Sequence, residues 1–350
     1  MTNEKLRTRE AAFKELFPAA PAYRWRQIEA ALFNAGWRGW DDATDLPRDV
    51  KAALQAATLP WLAVRAAKVA ASRNGATRKA ALELLDGKCV ETVLMRNRRG
   101  EWTVCVSSQV GCAMNCAFCA TGRMGLGRDL NTDEIIDQYR FWTGHMADEK
   151  IAGRISNIVF MGMGEPLANY DNVKAALRTL LKQTDLGPTR ITVSTVGLLP
   201  RLESILTDKD WPPVRLAVSL HSADLLTRQK IMPTTHDRFL DQLADWCRRY
   251  QQQKGNRRHH LTFEYVLLDG INDTDRHAEL LAEFAAAAGR VKINLIPYNY
   301  TGDVFKGSTP ERTGHFLGIL SQNGLDATRR RSMGDDIAAA CGQLIWEIKA

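Results

Sequence analysis

No stretch of the 350 residues approaches the roughly 18 consecutive apolar residues that a membrane-spanning helix requires. The first ten residues are charged with no apolar core behind them, so no secretory signal is read and a cytoplasmic protein without membrane attachment is expected. No internal repeat or low-complexity tract is found. Cysteine is scarce: seven residues, at 89, 105, 112, 116, 119, 247 and 341, an odd number that excludes a secreted disulfide framework. Three of them fall within eight positions, and thiols so crowded in a reducing compartment read as metal ligands or catalytic groups; Cys89 and Cys247 read as ordinary small residues. Acidic residues are outnumbered 40 to 47, and the formal charge of +7 favours an anionic partner. The excess clusters at Arg96, Arg98 and Arg99, at Arg257 and Arg258 beside His259 and His260, and at Arg329, Arg330 and Arg331. Each cluster is either a solvated loop or a phosphate contact.

Hydrophobic residues at 45% and charged residues at 25% describe a soluble globular chain, long enough for one domain of roughly 200–250 residues and smaller attachments. Residues 4–71 read as helical. Phe13, Leu16 and Phe17, then Ile28, Leu32 and Phe33, recur at helical spacing, and Pro18, Pro21, Pro47 and Pro60 divide the segment into short helices. A helical accessory domain is therefore expected over residues 1–75. Its Tyr23, Arg24, Trp25, Arg26, Trp37 and Trp40 either meet a nucleic acid by stacking and charge or pack inside a helical core. Residues 88–110 change to strand character, with Val90-Glu91-Thr92-Val93-Leu94-Met95, a turn at Arg99-Gly100 and Trp102-Thr103-Val104-Cys105-Val106 predicting a hairpin in a β extension over 76–104. Further strands are expected at 155–161, 190–195, 215–220, 261–267 and 291–296, separated by helices such as 172–181, 239–252 and 275–288. Such alternation builds parallel sheets with right-handed crossovers. With a first strand at 105–110 there are about six units. The expected fold class is α/β: a partial, laterally open (β/α)6 barrel over 105–330, with chemistry on the loops after the strands' C-terminal ends. Residues 331–350 then form a C-terminal loop and tail.

Cys112, Cys116 and Cys119 make a Cys-x3-Cys-x2-Cys run directly after the first expected barrel strand. Three thiolates are one short of the four that a [4Fe–4S] cluster takes from protein, which leaves one iron open. A structural zinc site would need a fourth ligand, but His145 lies 26 residues beyond Cys119 and the usual paired spacings are absent. With Phe118 before the last cysteine, the run resembles the radical S-adenosylmethionine (SAM) superfamily. In that superfamily the open iron chelates the amino and carboxylate groups of SAM, and one electron from the cluster cleaves the sulfonium to a 5′-deoxyadenosyl radical. Gly162-Met163-Gly164-Glu165-Pro166, after the next expected strand, resembles the superfamily's Gly-Glu-Pro motif, which holds the methionine ammonium; a carboxylate suits that partner.

The surrounding residues are similar to a narrower family, the adenine carbon-2 methyltransferases of 23S ribosomal RNA. The resemblance is carried by Cys105-Val106-Ser107-Ser108-Gln109-Val110-Gly111-Cys112, Ser194-Thr195, Ser219-Leu220-His221, Asn294-Leu295-Ile296-Pro297-Tyr298-Asn299, Gly334-Asp335-Asp336-Ile337 and Cys341-Gly342-Gln343-Leu344, over roughly residues 85–345. It implies two SAM molecules per turnover. Cys341 takes a methyl group from the first, and the radical from the second removes hydrogen from that S-methyl, so that a methylene adds to the base. Glu91 is implied as the proton acceptor, and Cys105 as the thiol that resolves the adduct by forming a disulfide with Cys341. The resemblance places SAM on Gly164, Glu165, Ser194, Ser219, Leu220, His221 and Asn299. It implies 23S RNA and the adenosine next to the anticodon of some transfer RNAs as substrates, an electron donor such as flavodoxin or ferredoxin, and a monomer. Met232-Pro233-Thr234-Thr235 departs from the family's usual turn. Two alternatives stay open: carbon-8 methylation of the same ribosomal adenine, and a non-catalytic metal-containing RNA-binding protein, which would need neither Glu165 nor the Cys105 and Cys341 pair.

Overall fold

The proline-punctuated N-terminal segment forms three short helices, α1 (Arg9–Leu16), α2 (Ala22–Leu32) and α3 (Arg48–Ala56), in a computed structural model that describes residues 7–255, 261–302 and 304–344. The cluster at Arg257, Arg258, His259 and His260 and the tail after residue 344 lie outside the described residues. The helices share a small core of Phe13, Ile28, Leu32, Trp40, Val50 and Leu54. Trp40 donates its indole N–H to the Leu59 carbonyl (2.7 Å), Trp25 and Trp37 pack half-buried against this core, and Tyr23 is exposed. Most of the aromatic stretch is thus packing.

The helical reading runs too far. Residues 64–71 form strand β1 (Val64–Ala71), antiparallel to β2 (Thr77–Leu84), which pairs with β3 (Cys89–Arg96). The β extension therefore starts at Val64 rather than residue 76. Alanine-rich β1 has helix propensity, but that preference is worth roughly a few tenths of a kcal/mol per residue, and pairing onto an existing sheet outweighs it. β3 turns into β4 (Trp102–Cys105) as the hairpin predicts. β4 stops at Cys105 instead of running to 110. Residues 106–108 leave the sheet, and β5 (Gln109–Cys112) pairs with β6 (Gly125–Asp129) as a separate ribbon, with α4 (Ala120–Arg123) between them.

Strands and helices then alternate: α5 (Thr132–Asp148), β7 (Ile155–Phe160), α6 (Tyr170–Gln183), β8 (Ile191–Thr195), α7 (Leu199–Thr207), β9 (Arg215–Ser219), α8 (Leu225–Ile231), α9 (Phe239–Lys254), β10 (Leu261–Leu267), α10 (Asp275–Ala288), β11 (Val291–Pro297), α11 (Pro310–Gln322) and β12 (Asp326–Arg329). The ten-stranded order is β1-β2-β3-β4-β7-β8-β9-β10-β11-β12, parallel from β4 onward. β4 and β7 to β11 supply the six expected units and β12 adds a short seventh. β1 and β12 stand at opposite ends of the order, so the α/β barrel is partial and open. Helix faces follow the sequence period: on α6, Val173, Ala176, Leu177 and Leu180 are buried at i, i+3, i+4 and i+7. α5 starts on a capping box, in which the Asn131 side chain accepts from the Glu134 N–H and the Glu134 carboxylate accepts from the Asn131 N–H, both at 2.9 Å. No helix among the described residues is long and apolar enough to cross a membrane.

A buried carboxylate helps fasten the helical unit to the barrel. Asp137 on α5 accepts from Arg9 (2.7 and 2.9 Å), from Arg140 (2.5 Å) and from the Ala63 backbone N–H (2.6 Å). Burial alone would raise its pKa, but Arg140 and Arg9 more than offset that and hold the carboxyl below its ordinary value. Removing one member of such a network leaves the other charges buried without a partner. Asp137→Ala should therefore destabilise the protein by about 3–5 kcal/mol, measured by urea unfolding, with the helical unit becoming the first segment cut in limited proteolysis.

Candidate active site

The loop after β7 is built against the residues that follow β4. A β-carbon on Gly162 would lie 2.6 Å from Ser107 Oγ, and one on Gly164, at φ +98°, would lie 2.5 Å from Gln109 Cβ, so both positions require glycine. The close approach is stitched by hydrogen bonds. Met163 N–H donates to Ser107 Oγ (2.8 Å), Gln109 N–H to the Met163 carbonyl (3.2 Å), and Glu165 N–H to Gln109 Oε1 (2.8 Å). The Glu165 carboxylate is buried, accepting from Leu167 N–H (2.9 Å) and Val196 N–H (2.7 Å). Burial pushes it up to about 7 against the Val196, Thr195 and Leu167 hydrogen bonds, and no cationic side chain among the described residues pairs with it. A buried carboxylate in that state suits an incoming ammonium group.

Cys112 ends β5, while Cys116 and Cys119 lie on the loop between β5 and α4. An apolar cage surrounds them: Cys116 packs with Ile231, Met232, Val266 and Leu268, against Met114, Phe118 and Cys119. Burial pushes the Cys112 thiol up to about 12, with a Met114 backbone hydrogen bond opposing; Cys116 is raised by burial and by its neighbours Cys119 and Cys112. Burial also raises Cys119, whose sulfur receives backbone hydrogen bonds from Gly122 and Thr121 and one from the Thr121 side chain. Three mutually close thiols in an apolar setting, with N–H donors aimed at one sulfur, fit an iron–sulfur cluster, which deprotonates its ligands. Among the described residues no three His, Cys, Asp or Glu side chains converge on a single ion. A cubane does not require that, since each thiolate takes a different iron.

Cys119, Gly164, Glu165, Ser194, Ser219, His221 and Asn299 line one cavity at the C-terminal mouth of the barrel. The structure thus brings together every expected SAM contact except Leu220, whose side chain is buried in the core. Ser194 and Ser219 face each other, Oγ to Oγ at 3.5 Å. His221 adopts φ +56° and sits edge-on to Phe118 at 4.8 Å. Its Nδ1 accepts from Val266 N–H (3.0 Å), which leaves the proton on Nε2; burial, then Arg228, lowers its pKa to about 3, so the ring is neutral. Arg228 itself escaped the sequence reading. It is buried 3.7 Å over the Phe239 ring and donates to the carbonyls of Leu220 (3.0 Å), Val196 (2.9 Å) and Ser219 (3.3 Å) and to the Thr235 hydroxyl, clamping the ends of β8 and β9. Thr235 in turn donates to the Met232 carbonyl (2.7 Å), which accounts for the Met232-to-Thr235 turn as part of this clamp.

A second cavity adjoins the first. Cys105 and Cys341 both line it, and Cys341, Asn299, Met161 and Arg330 line both. Cys105 is buried at the end of β4, and Cys341 is exposed on a loop rather than in a core helix. That loop is strapped across the mouth. The Gly342 carbonyl accepts from Ala120 N–H (2.8 Å), the Leu344 carbonyl from Thr121 Oγ1 (2.5 Å) and the Cys341 carbonyl from Asn299 Nδ2 (3.2 Å), while Arg73 N–H donates to Asp336 (2.9 Å) and Lys79 to the Ala338 carbonyl (3.2 Å). All seven cysteines are free thiols, so the expected Cys105–Cys341 disulfide is not present. Glu91 is buried on β3, ion-paired with Lys79 at 2.7 Å, and lines neither cavity. Arg330 points inward from the basic run, whereas Arg329 and Arg331 are exposed. Nothing in the run itself separates Arg330 from its neighbours; their alternation on and after β12 is the available signal.

The Radical SAM superfamily matches residues 106–282. The chain is 43% identical over 332 residues to a Moorella thermoacetica protein named "Probable dual-specificity RNA methyltransferase RlmN", covering 92% of this chain and 90% of that protein. It is 40% identical over 348 residues to the "Dual-specificity RNA methyltransferase RlmN" of Halorhodospira halophila, covering 98% and 92%. The crystal structure of a radical SAM methyltransferase from Sphaerobacter thermophilus superposes with a TM-score of 0.86 at 38% identity, over 96% of each chain. The chain belongs to the radical SAM superfamily and, within it, to the RlmN-type RNA methyltransferases.

Proposed function

We propose that this methyltransferase modifies carbon 2 of an adenine in 23S ribosomal RNA and of the adenosine 3′ to the anticodon in some transfer RNAs, through an S-methyl intermediate on Cys341. The observation that carries this reading is the pair of adjoining cavities with Cys341 on their shared wall, Glu165 in one and Cys105 in the other. Carbon 2 is not nucleophilic, so direct transfer of a methyl cation to it is unfavourable. When bound, the [4Fe–4S] cluster on Cys112, Cys116 and Cys119 supplies the electron that makes a radical from SAM. Glu165 holds the methionine ammonium, Ser194, Ser219 and the neutral His221 offer hydrogen bonds to the rest of the cofactor, and Asn299 fixes the Cys341 loop. Exposed Cys341 would accept the methyl group first and, after loss of one hydrogen from that S-methyl, its methylene would bond carbon 2. Buried Cys105 would then attack the Cys341 sulfur as thiolate and break the sulfur–methylene bond. The carbon-2 proton goes to Glu91, the methylene carbon takes up a proton and leaves on the base as methyl, and the one electron first supplied is given back. The two cysteines are left as a disulfide that an external thiol reduces. We assign Glu91, buried beside Lys79, to accept the carbon-2 proton. Carbon 2 is preferred to carbon 8 because the Gly334-to-Leu344 segment and the N-terminal helices resemble the housekeeping rather than the resistance form of the family; the similarity to the Halorhodospira halophila protein covers 98% of this chain.

Replacing Cys112, Cys116 or Cys119 by Ala should abolish the iron–sulfur absorbance of the anaerobically reconstituted protein and the reductive cleavage of SAM. Tight stoichiometric zinc with no iron-dependent activity would defeat the cluster assignment. Cys341→Ala should assemble the cluster but take up no methyl group, while Cys105→Ala should accept the methyl and stall as a protein–RNA adduct visible on a denaturing gel. Normal turnover by Cys105→Ala would remove the resolving step from the mechanism. Nucleosides digested from treated 23S RNA should contain 2-methyladenosine when chromatographed against standards; 8-methyladenosine as the main product would move the chain to the carbon-8 reaction.

A further inference from the structure

Cys105 must act as a nucleophile, yet it is buried, and the proposed mechanism assigns no group to favour its thiolate. Arg330 stands where such a group is needed. It directly follows β12, and its backbone N–H donates to the Leu295 carbonyl (2.8 Å), fixing it at the barrel mouth. Its Nη1 lies 3.3 Å from Glu264 Oε2 and 3.3 Å from Met161 Sδ. Glu264 accepts from Asn294 Nδ2 (2.9 Å), and Asn294 Oδ1 accepts from Thr328 Oγ1 (3.0 Å), so side chains of β10, β11 and β12 anchor the guanidinium together. Met161 bridges it to the thiol, touching Arg330 through sulfur while its backbone hydrogen-bonds Cys105.

We propose that Arg330 is a positioning residue for the cysteine pair, holding a fixed positive charge in the wall shared by the two cavities and so favouring the thiolate of Cys105. This rests on the reading that Cys105 acts on Cys341 through sulfur. Burial pushes the Cys105 thiol up to about 12, the neighbouring Cys341 adds to the rise, and the Met161 backbone hydrogen bond and Arg330 oppose it. Burial works against the charge on Arg330 too, but Cys341, Glu264 and Cys105 more than offset it. The other charged or titratable groups around the pair among the described residues are Arg96 and Arg331 in the Cys105 cavity, Glu165, His221, Glu264, Tyr298 and Cys119 in the other, and Lys79, Asp335 and Asp336 along the strap. Of these, Glu264 neutralises part of the guanidinium and His221 is neutral. Arg330 is the cation that lines both cavities.

The test is alkylation of Cys105 by iodoacetamide, followed by peptide mass spectrometry between pH 7 and 9, in the anaerobically reconstituted Cys341→Ala protein. Adding Arg330→Gln should slow the reaction about tenfold, the effect of one pKa unit on thiolate fraction, whereas Arg330→Lys should stay within about threefold of the parent. A guanidinium that only supported the fold would behave oppositely: its loss would loosen the pocket and speed alkylation. An unchanged or faster rate in Arg330→Gln, or equal slowing in Arg330→Lys, overturns the proposal. Should Arg330→Gln fail to assemble its cluster, the similarly shaped Arg330→Met carries the test: the same slowing supports the role, and an unchanged or faster rate overturns it. Methyl uptake on Cys341 of the otherwise unaltered protein is measured alongside. Its absence would count against the proposed reaction and leave the thiol-reactivity result standing.

Discussion

A β-carbon at Gly164 would collide with Gln109, and much of the site depends on its absence. The missing side chains at Gly162 and Gly164 let the loop after β7 lie directly on residues 106–109. Residues 106–108 leave the sheet there, and Ser107, Ser108 and Gln109 direct hydrogen-bonding groups at that loop. Two consequences follow from one contact. Glu165 is carried into a buried position facing the mouth, and the chain that enters β5 is set at the angle from which Cys112, Cys116 and Cys119 are presented beside it. A polar Ser-Ser-Gln run in the middle of an expected strand is thus a structural device, and it explains why β4 ends where it does.

Around that contact the molecule buries charge in a compensated way. Asp137 receives four donors, Arg228 four acceptors and an aromatic face, and Arg330 a carboxylate. Each ties separate elements together: α1 to α5, β8 and β9 to α8, β12 to β10. Glu165 contrasts with these: its carboxylate has only neutral hydrogen-bond donors among the described residues, and burial pushes it up to about 7. The contrast sets Glu165 apart from the side chains that complete the fold, and perturbed carboxylates of this kind cluster at functional sites.

The strap that carries Cys341 shows how a mobile-looking sequence becomes a defined element. Gly334, Ala338 and Gly342 all take positive φ, and residues 335–337 make a single 3-10 turn. Its position comes from contacts on both sides, with the β1–β2 hairpin through Arg73 and Lys79 and with the cysteine loop through Ala120 and Thr121. The β extension therefore does more than introduce the barrel. It supplies one wall against which the loop bearing Cys341 is held.

Local pattern was enough for the barrel and for the motifs at its mouth. Strands β7 to β11 and helices α6, α9 and α10 lie where alternation and helical period placed them, because a strand covered on both faces or a helix covered on one writes its burial into its own residues. The three cysteines and the Gly-Glu-Pro run were legible for a similar reason: a cluster and an ammonium constrain residue type at short spacing. Other features depended on what packs against what. β1 has the composition of a helix and becomes a strand because β2 offers it an edge. Arg228 and Arg330 look like surface cations until the fold turns them inward onto carbonyls or a carboxylate. Glu91 reads as an isolated carboxylate on a strand, and its pairing with Lys79 on β2 exists only through the antiparallel register. The meeting of Cys105 with Cys341 at one cavity wall was the family's implication, not a property of either segment. It is physically decided by the strap, whose hydrogen-bond partners lie far away in the chain.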